Sequence, residues 1–116
     1  YGAVPEPVRR LAALARLRAL AARLGVREIV AQGKSVRLAP VEPAESGRLR
    51  LMRLYPGTTL KPATRTIVVP APGAARMGAG PVEGEALLRW AEVLLRAVVE
   101  GDPAYETEAA AYRRRR

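Results

Sequence analysis

The sequence predicts a small single domain of the α/β (α+β) class, with a short sheet packed against helices in the order helix–β-hairpin–helix–strand–helix. Three observations carry this prediction. Apolar residues recur with helical spacing over residues 5–24 and again over 83–100. Two alternating stretches flank Gly33-Lys34, a natural tight turn. The run at 64–69 is β-branched at Thr64, Thr66, Ile67, Val68 and Val69. At 116 residues the chain is one domain's worth, able to bury roughly 65% of its unfolded surface around one core.

In residues 5–24, Pro5 and Pro7 fit a first helical turn, where a missing N–H costs nothing, and Gly25 supplies the stop. Leu11, Leu14, Leu17, Leu20 and Leu24 share one broad arc, with Arg10 and Arg18 intruding on it. Arg9, Arg16 and Arg23, spaced by sevens, gather on the opposite side. The favoured reading is a leucine face toward the core and a solvated arginine face, ahead of a ridge that tracks phosphates.

Residues 26–32 alternate, as do 35–39 through Val36 and Leu38, so the pair reads as a hairpin that Pro40 and Pro43 then break. Ser46 is placed to cap a helix reaching about residue 55. Its expected buried side is Leu49, Met52 and one of Leu54 or Tyr55, with Arg48, Arg50 and Arg53 outward and Pro56-Gly57 as the stop. Residues 58–63 read as extended, and 64–69 as a strand central in its sheet or covered on both sides. Residues 70–82 hold too much Gly, Pro and Ala for regular structure, and they lack both GxGxxG and GxxxxGK[ST].

Over 83–100 a helix begins acidic, as the macrodipole favours, and would bury Leu87, Trp90, Ala91, Leu94, Leu95 and Val98, with Trp90 as the core anchor. Gly101-Asp102-Pro103 reads as the end of the fold. The expected division is an ordered domain over 1–100 and a disordered basic tail over 101–116.

Composition narrows function mainly by exclusion. There is no histidine and no cysteine, which removes the commonest general base, thiolate chemistry and disulfides, and suits a reducing cytoplasm. Glu83 and Glu85 are two apart on a helix and face apart; Glu42 and Glu45 lack metal-ligand spacing; Ser35 and Ser46 lack a base. The expectation is a non-enzyme with no catalytic residues, no cofactor and no metal, cytoplasmic and without a membrane segment. A formal charge of +9 raises the prospect of nucleic acid, while one Trp, four Tyr and no Phe make a poor base-stacking platform. A chain that starts at Tyr1 rather than Met is expected to be part of something longer.

Taken together, PEPVRRLAALARLRALAARLGVREIVAQGKSVRLAPV, then LRLMRLYPGTTLKPATRTIVVP, then a tryptophan-bearing final helix closely resemble the C-terminal (TRCF) domain of bacterial transcription-repair coupling factors, the Mfd family. The resemblance covers about residues 1–100. It implies a non-catalytic regulatory domain of an ATP-driven double-stranded DNA translocase that displaces stalled RNA polymerase and recruits UvrA. In that reading the domain docks on the UvrB-like module of its own chain, masks the UvrA-binding site and restrains the motor. Exposure alone nominates Arg9, Arg16, Arg48 and Arg53 as the interface. The alternative is a basic accessory domain that helps the motor grip duplex DNA through the same arginines. A scaffold that only stabilises the motor's end is a third reading.

Overall fold

A computed structural model of the chain describes residues 4–72, 79–81 and 84–114. Helix α1 (Glu6–Leu24) has proline in its first turn and ends at Gly25, whose φ of 80° no side-chain-bearing residue adopts cheaply. The Gly25 N–H donates to the Ala22 carbonyl and the Val26 N–H to Ala21, the paired closure of a Schellman motif. Ala13, Leu17, Leu20 and Ala21 are its buried residues. Leu11, expected on the core arc, is exposed. The buried arc is centred nearer Leu17 and Leu20, because alanines and not leucines fill its edges.

Strands β1 (Glu28–Gln32) and β2 (Ser35–Ala39) form the expected hairpin, with Gln32 opposite Ser35 and Gly33 at φ 67° supplying the left-handed turn residue. After cis Ala39–Pro40 comes α2 (Glu45–Leu54), then β3 (Thr59–Lys61), a 3₁₀ turn over Pro62–Thr64, and β4 (Thr66–Pro70). Strand β5 (Ala79–Pro81) pairs with β1. This corrects the expectation of no regular structure over 70–82; residues 73–78 and 82–83 lie outside the described set. All pairings are antiparallel, in the order β3-β4-β2-β1-β5. The β-branched run is therefore an inner strand, as its composition predicts.

Register puts Ala31 opposite Val36, Val36 opposite Val69, and Leu38 opposite Ile67. These residues share one sheet face and are buried, so the sheet meets the helices on that side. Arg37 and Glu28 pair at 3.3 Å on the other side.

Helix α3 (Glu85–Leu94) continues through a π-helical stretch, Leu95–Val99, in which the Glu100 N–H donates to the Leu95 carbonyl. It is the central helix of the layer: Leu88, Trp90, Val93, Leu94, Leu95 and Val98 are all buried. Trp90 meets Tyr55 edge-on, with ring centroids 5.9 Å apart.

Two further expectations need correcting. The first is the disordered tail. Asp102 accepts the Ala104 N–H and opens a 3₁₀ turn, Pro103–Tyr105, followed by α4 (Glu106–Arg114), with Ala109 in the core. Asp-Pro, read as a stop, is also a cap followed by an N1 proline, and here it starts a helix. The second is the face of α2. The helix begins at Glu45 with no side-chain cap, so Ser46 lies inside it; Gly47, Leu51, Leu54 and Tyr55 are buried. A β-carbon on Gly47 would sit 3.3 Å from the Val98 carbonyl oxygen. That close approach sets the helix's rotation and turns Leu49 and Met52 outward.

Candidate docking surfaces

Seven-residue spacing puts Arg9, Arg16 and Arg23 in one row along α1. The row faces α3 rather than open solvent. Arg9 Nε lies 3.2 Å from Glu85, Arg16 Nε 3.7 Å from Glu92, and Arg23 Nη1 2.6 Å from Glu100. The partners advance together along both helices, so α1 and α3 run in the same direction.

Glu92 is buried and is the centre of this network: Arg89 reaches it at 3.4 Å and Arg96 at 3.1 Å, in addition to Arg16. Arg96 also reaches Glu100 at 3.3 Å. Arg89 grips both carboxylate oxygens of Glu108 on α4, at 2.9 and 2.7 Å. The hydrogen bond to Glu108 raises the Arg89 pKa, and that to Glu92 raises the Arg96 pKa. Both guanidiniums lie against the Tyr105 ring, 5.7 and 5.3 Å from its centroid. None of Arg89, Arg96, Tyr105 and Glu108 was singled out by sequence reasoning, which had no helix at 106–114 to pair them with.

On α2 the arginines divide by role. Arg50 is half-buried and donates from Nε to the Ala97 carbonyl at 3.2 Å and from Nη2 to Val98 at 3.4 Å. A cation there satisfies carbonyls at the end of the α3 run and complements its dipole. Arg53 pairs with Glu106 at 2.6 Å. Arg48 is exposed and, with Val41, Glu42, Lys61 and Thr66, lines a concavity of about 160 Å³. Between Arg48 and Arg53, Leu49 is 65% and Met52 39% exposed.

The four nominated arginines thus fall into two pairs on different helices: Arg9 and Arg16 on α1, Arg48 and Arg53 on α2. The outer side of α1 is itself largely apolar, through Val8, Leu11, Ala12, Ala15, Ala19 and Ala22. Among the described residues no group of His, Cys, Asp or Glu could hold a metal ion, and no helix is long and apolar enough to cross a membrane.

Residues 1–48 match a family model described as TRCF domain. The chain is 40% identical over 99 residues to the transcription-repair-coupling factor of Mycobacterium tuberculosis and, equally, to that of Mycobacterium bovis. Each alignment covers 84% of this chain and 8% of the relative, so the chain spans less than a tenth of the length of the proteins it matches.

Proposed function

The chain belongs to the transcription-repair-coupling factor family as its TRCF domain, and from that premise we propose that it is a non-catalytic regulatory domain that docks on the UvrB-like module of its own polypeptide. Docking masks the UvrA-binding site and restrains the DNA-translocating motor until RNA polymerase is engaged.

The observation that carries this reading is the outer face of α2, where exposed Leu49 and Met52 stand between Arg48 and Arg53. An apolar pair bracketed by guanidiniums is a small docking surface for a partner that is apolar at its centre and acidic at its edge. A surface of this size binds weakly, and weak binding is what a releasable clamp needs. Tethering within one chain supplies an effective concentration on the order of millimolar, so a modest preference for the docked state suffices and engagement elsewhere can reverse it. Arg53 exchanges Glu106 for a partner carboxylate on docking. Arg9 and Arg16 contribute only by a similar exchange, against Glu85 and Glu92.

The test is the UvrA affinity of the full parent protein with and without residues 1–116, at one salt concentration. A gain on deletion is expected, and the double variant Leu49→Ser, Met52→Ser in the parent should reproduce part of it. Unchanged affinity on deletion removes the clamp reading. The net charge of +9 then directs attention to duplex DNA, where log K should fall by roughly 0.9 per phosphate contact per decade of salt.

A further inference from the structure

Arg16, Arg23 and Arg96 converge on one concavity of about 310 Å³, whose remaining wall is Ala19 and Leu20. Their carboxylate partners, Glu92 and Glu100, do not line it. Side-chain exposure separates the two signs: Glu92 is 4% and Glu100 22% exposed, against 54% for Arg16 and 57% for Arg23. Solvent entering the notch therefore meets guanidinium and hydrocarbon, with the acids set behind.

The ion pairs leave donors over. Arg16 comes nearest Glu92 through Nε, at 3.7 Å and beyond hydrogen-bond reach; Arg23 comes nearest Glu100 through Nη1; Arg96 donates from Nε and Nη1. A guanidinium carries five N–H groups, so both terminal nitrogens of Arg16, Nε and Nη2 of Arg23, and Nη2 of Arg96 have hydrogens to give. The Tyr105 ring, 5.3 Å from the Arg96 guanidinium, holds that group in place. With Arg89 balanced by Glu108, the three cations of the notch against Glu92 and Glu100 leave one positive charge, which a singly charged anion neutralises.

From this geometry we propose that the notch between α1 and the π-helical end of α3 binds a singly charged phosphate oxyanion, free or as one phosphodiester of a nucleic-acid backbone. Arginine forks match phosphate oxygens in pairs, and the small apolar floor at Ala19 and Leu20 limits the site to one such group. The site lies on α1 and α3, apart from the α2 face, and does not depend on the docking reading above.

The experiment follows the side-chain Nε–H signals of the arginines by NMR in the 116-residue chain. One arm adds inorganic phosphate near pH 6, where it is largely monoanionic; a second adds a short DNA duplex; a third adds a polyglutamate peptide. Saturable shifts confined to Arg16, Arg23 and Arg96, with Arg48 unmoved, are expected with phosphate or with duplex. Saturation at much lower duplex than phosphate concentration assigns the source to a nucleic-acid backbone; saturation with phosphate alone assigns it to the free anion. Arg23→Gln should weaken binding about fivefold, the value of one modest hydrogen bond. Ala19→Asp, which keeps every arginine and puts a carboxylate in the wall, should abolish it. Linear shifts shared by all arginines, equal shifts with polyglutamate, or undiminished binding in Ala19→Asp would overturn the proposal.

Discussion

Helices α1 and α2 both flank the α3 run, and both carry arginines interleaved with leucines, yet they use them in opposite ways. On α1 three of the five arginines, Arg9, Arg16 and Arg23, form a row along the seam with α3, each meeting a carboxylate. On α2 one arginine is drawn inward to backbone carbonyls, one is held by α4, and one stands free of any ion pair among the described residues. In both helices some apolar side chains face outward while charged ones line the seam. The lesson is that arginine in a small basic domain is often a residue of the helix–helix edge. Its hydrocarbon stem packs while its fork reaches carboxylates or carbonyls, so a helical wheel that assigns arginine to solvent can rotate the helix wrongly.

The comparison can be broken most severely at its hub. Glu92→Ala should destabilise the chain by about 3 kcal/mol, since it leaves three guanidiniums around a buried site without their shared acid; the urea midpoint would show it. Arg50→Met comes next, at about 2 kcal/mol, because it strips two carbonyls of their donor while keeping the packed stem. If Arg50 cost nothing, the contrast between the two helices would be one of appearance only.

Tyr55 sharpens the comparison from beneath α2. Its phenol oxygen is buried without a hydrogen-bond partner, and burial first, then Tyr112 and Glu108, pushes its pKa above the ordinary value. The fold therefore holds this proton more tightly than the unfolded chain does. The associated stability is complete below about pH 10 and is lost as pH rises beyond it. Tyr55→Phe should be neutral to stabilising by up to about 1 kcal/mol at pH 7, and its urea midpoint should decline less between pH 9 and pH 11 than that of the parent sequence. The smallest effect is expected at Leu49→Ser, within about 0.5 kcal/mol for the chain alone, although the same change should weaken docking in the full parent. A large loss of stability there would return Leu49 to the core.

Much of the fold was legible because its signals are local. Pro5, Pro7 and Gly25 bound α1, Gly33 turns the hairpin, and the β-branched run is an inner strand. What escaped depends on neighbours distant in sequence. The face of α2 is decided by the approach of Gly47 to Val98, not by periodicity, which fits Leu49 and Met52 as well as Leu51 and Leu54. Strand β5, an Ala-Gly-Pro segment with no strand propensity, exists through its pairing with β1. Helix α4 is alanine-rich and charged, and it gains its place from Arg53, Arg89 and the core contact of Ala109. The candidate interface was legible as a set of arginines. Which of them were already engaged was not, since that needed the partners from α3 and α4.

The row of ion pairs between α1 and α3 also bears on how the chain comes to be folded. Arg9 and Glu85 are 76 residues apart, and a ribosome adding ~5–20 residues per second needs roughly 4–15 s to supply the second after the first. Throughout that interval the leucines of α1 have no α3 to cover them. The hairpin at 28–39 can close in microseconds, but α1 stays uncovered on its leucine side until α3 has been made.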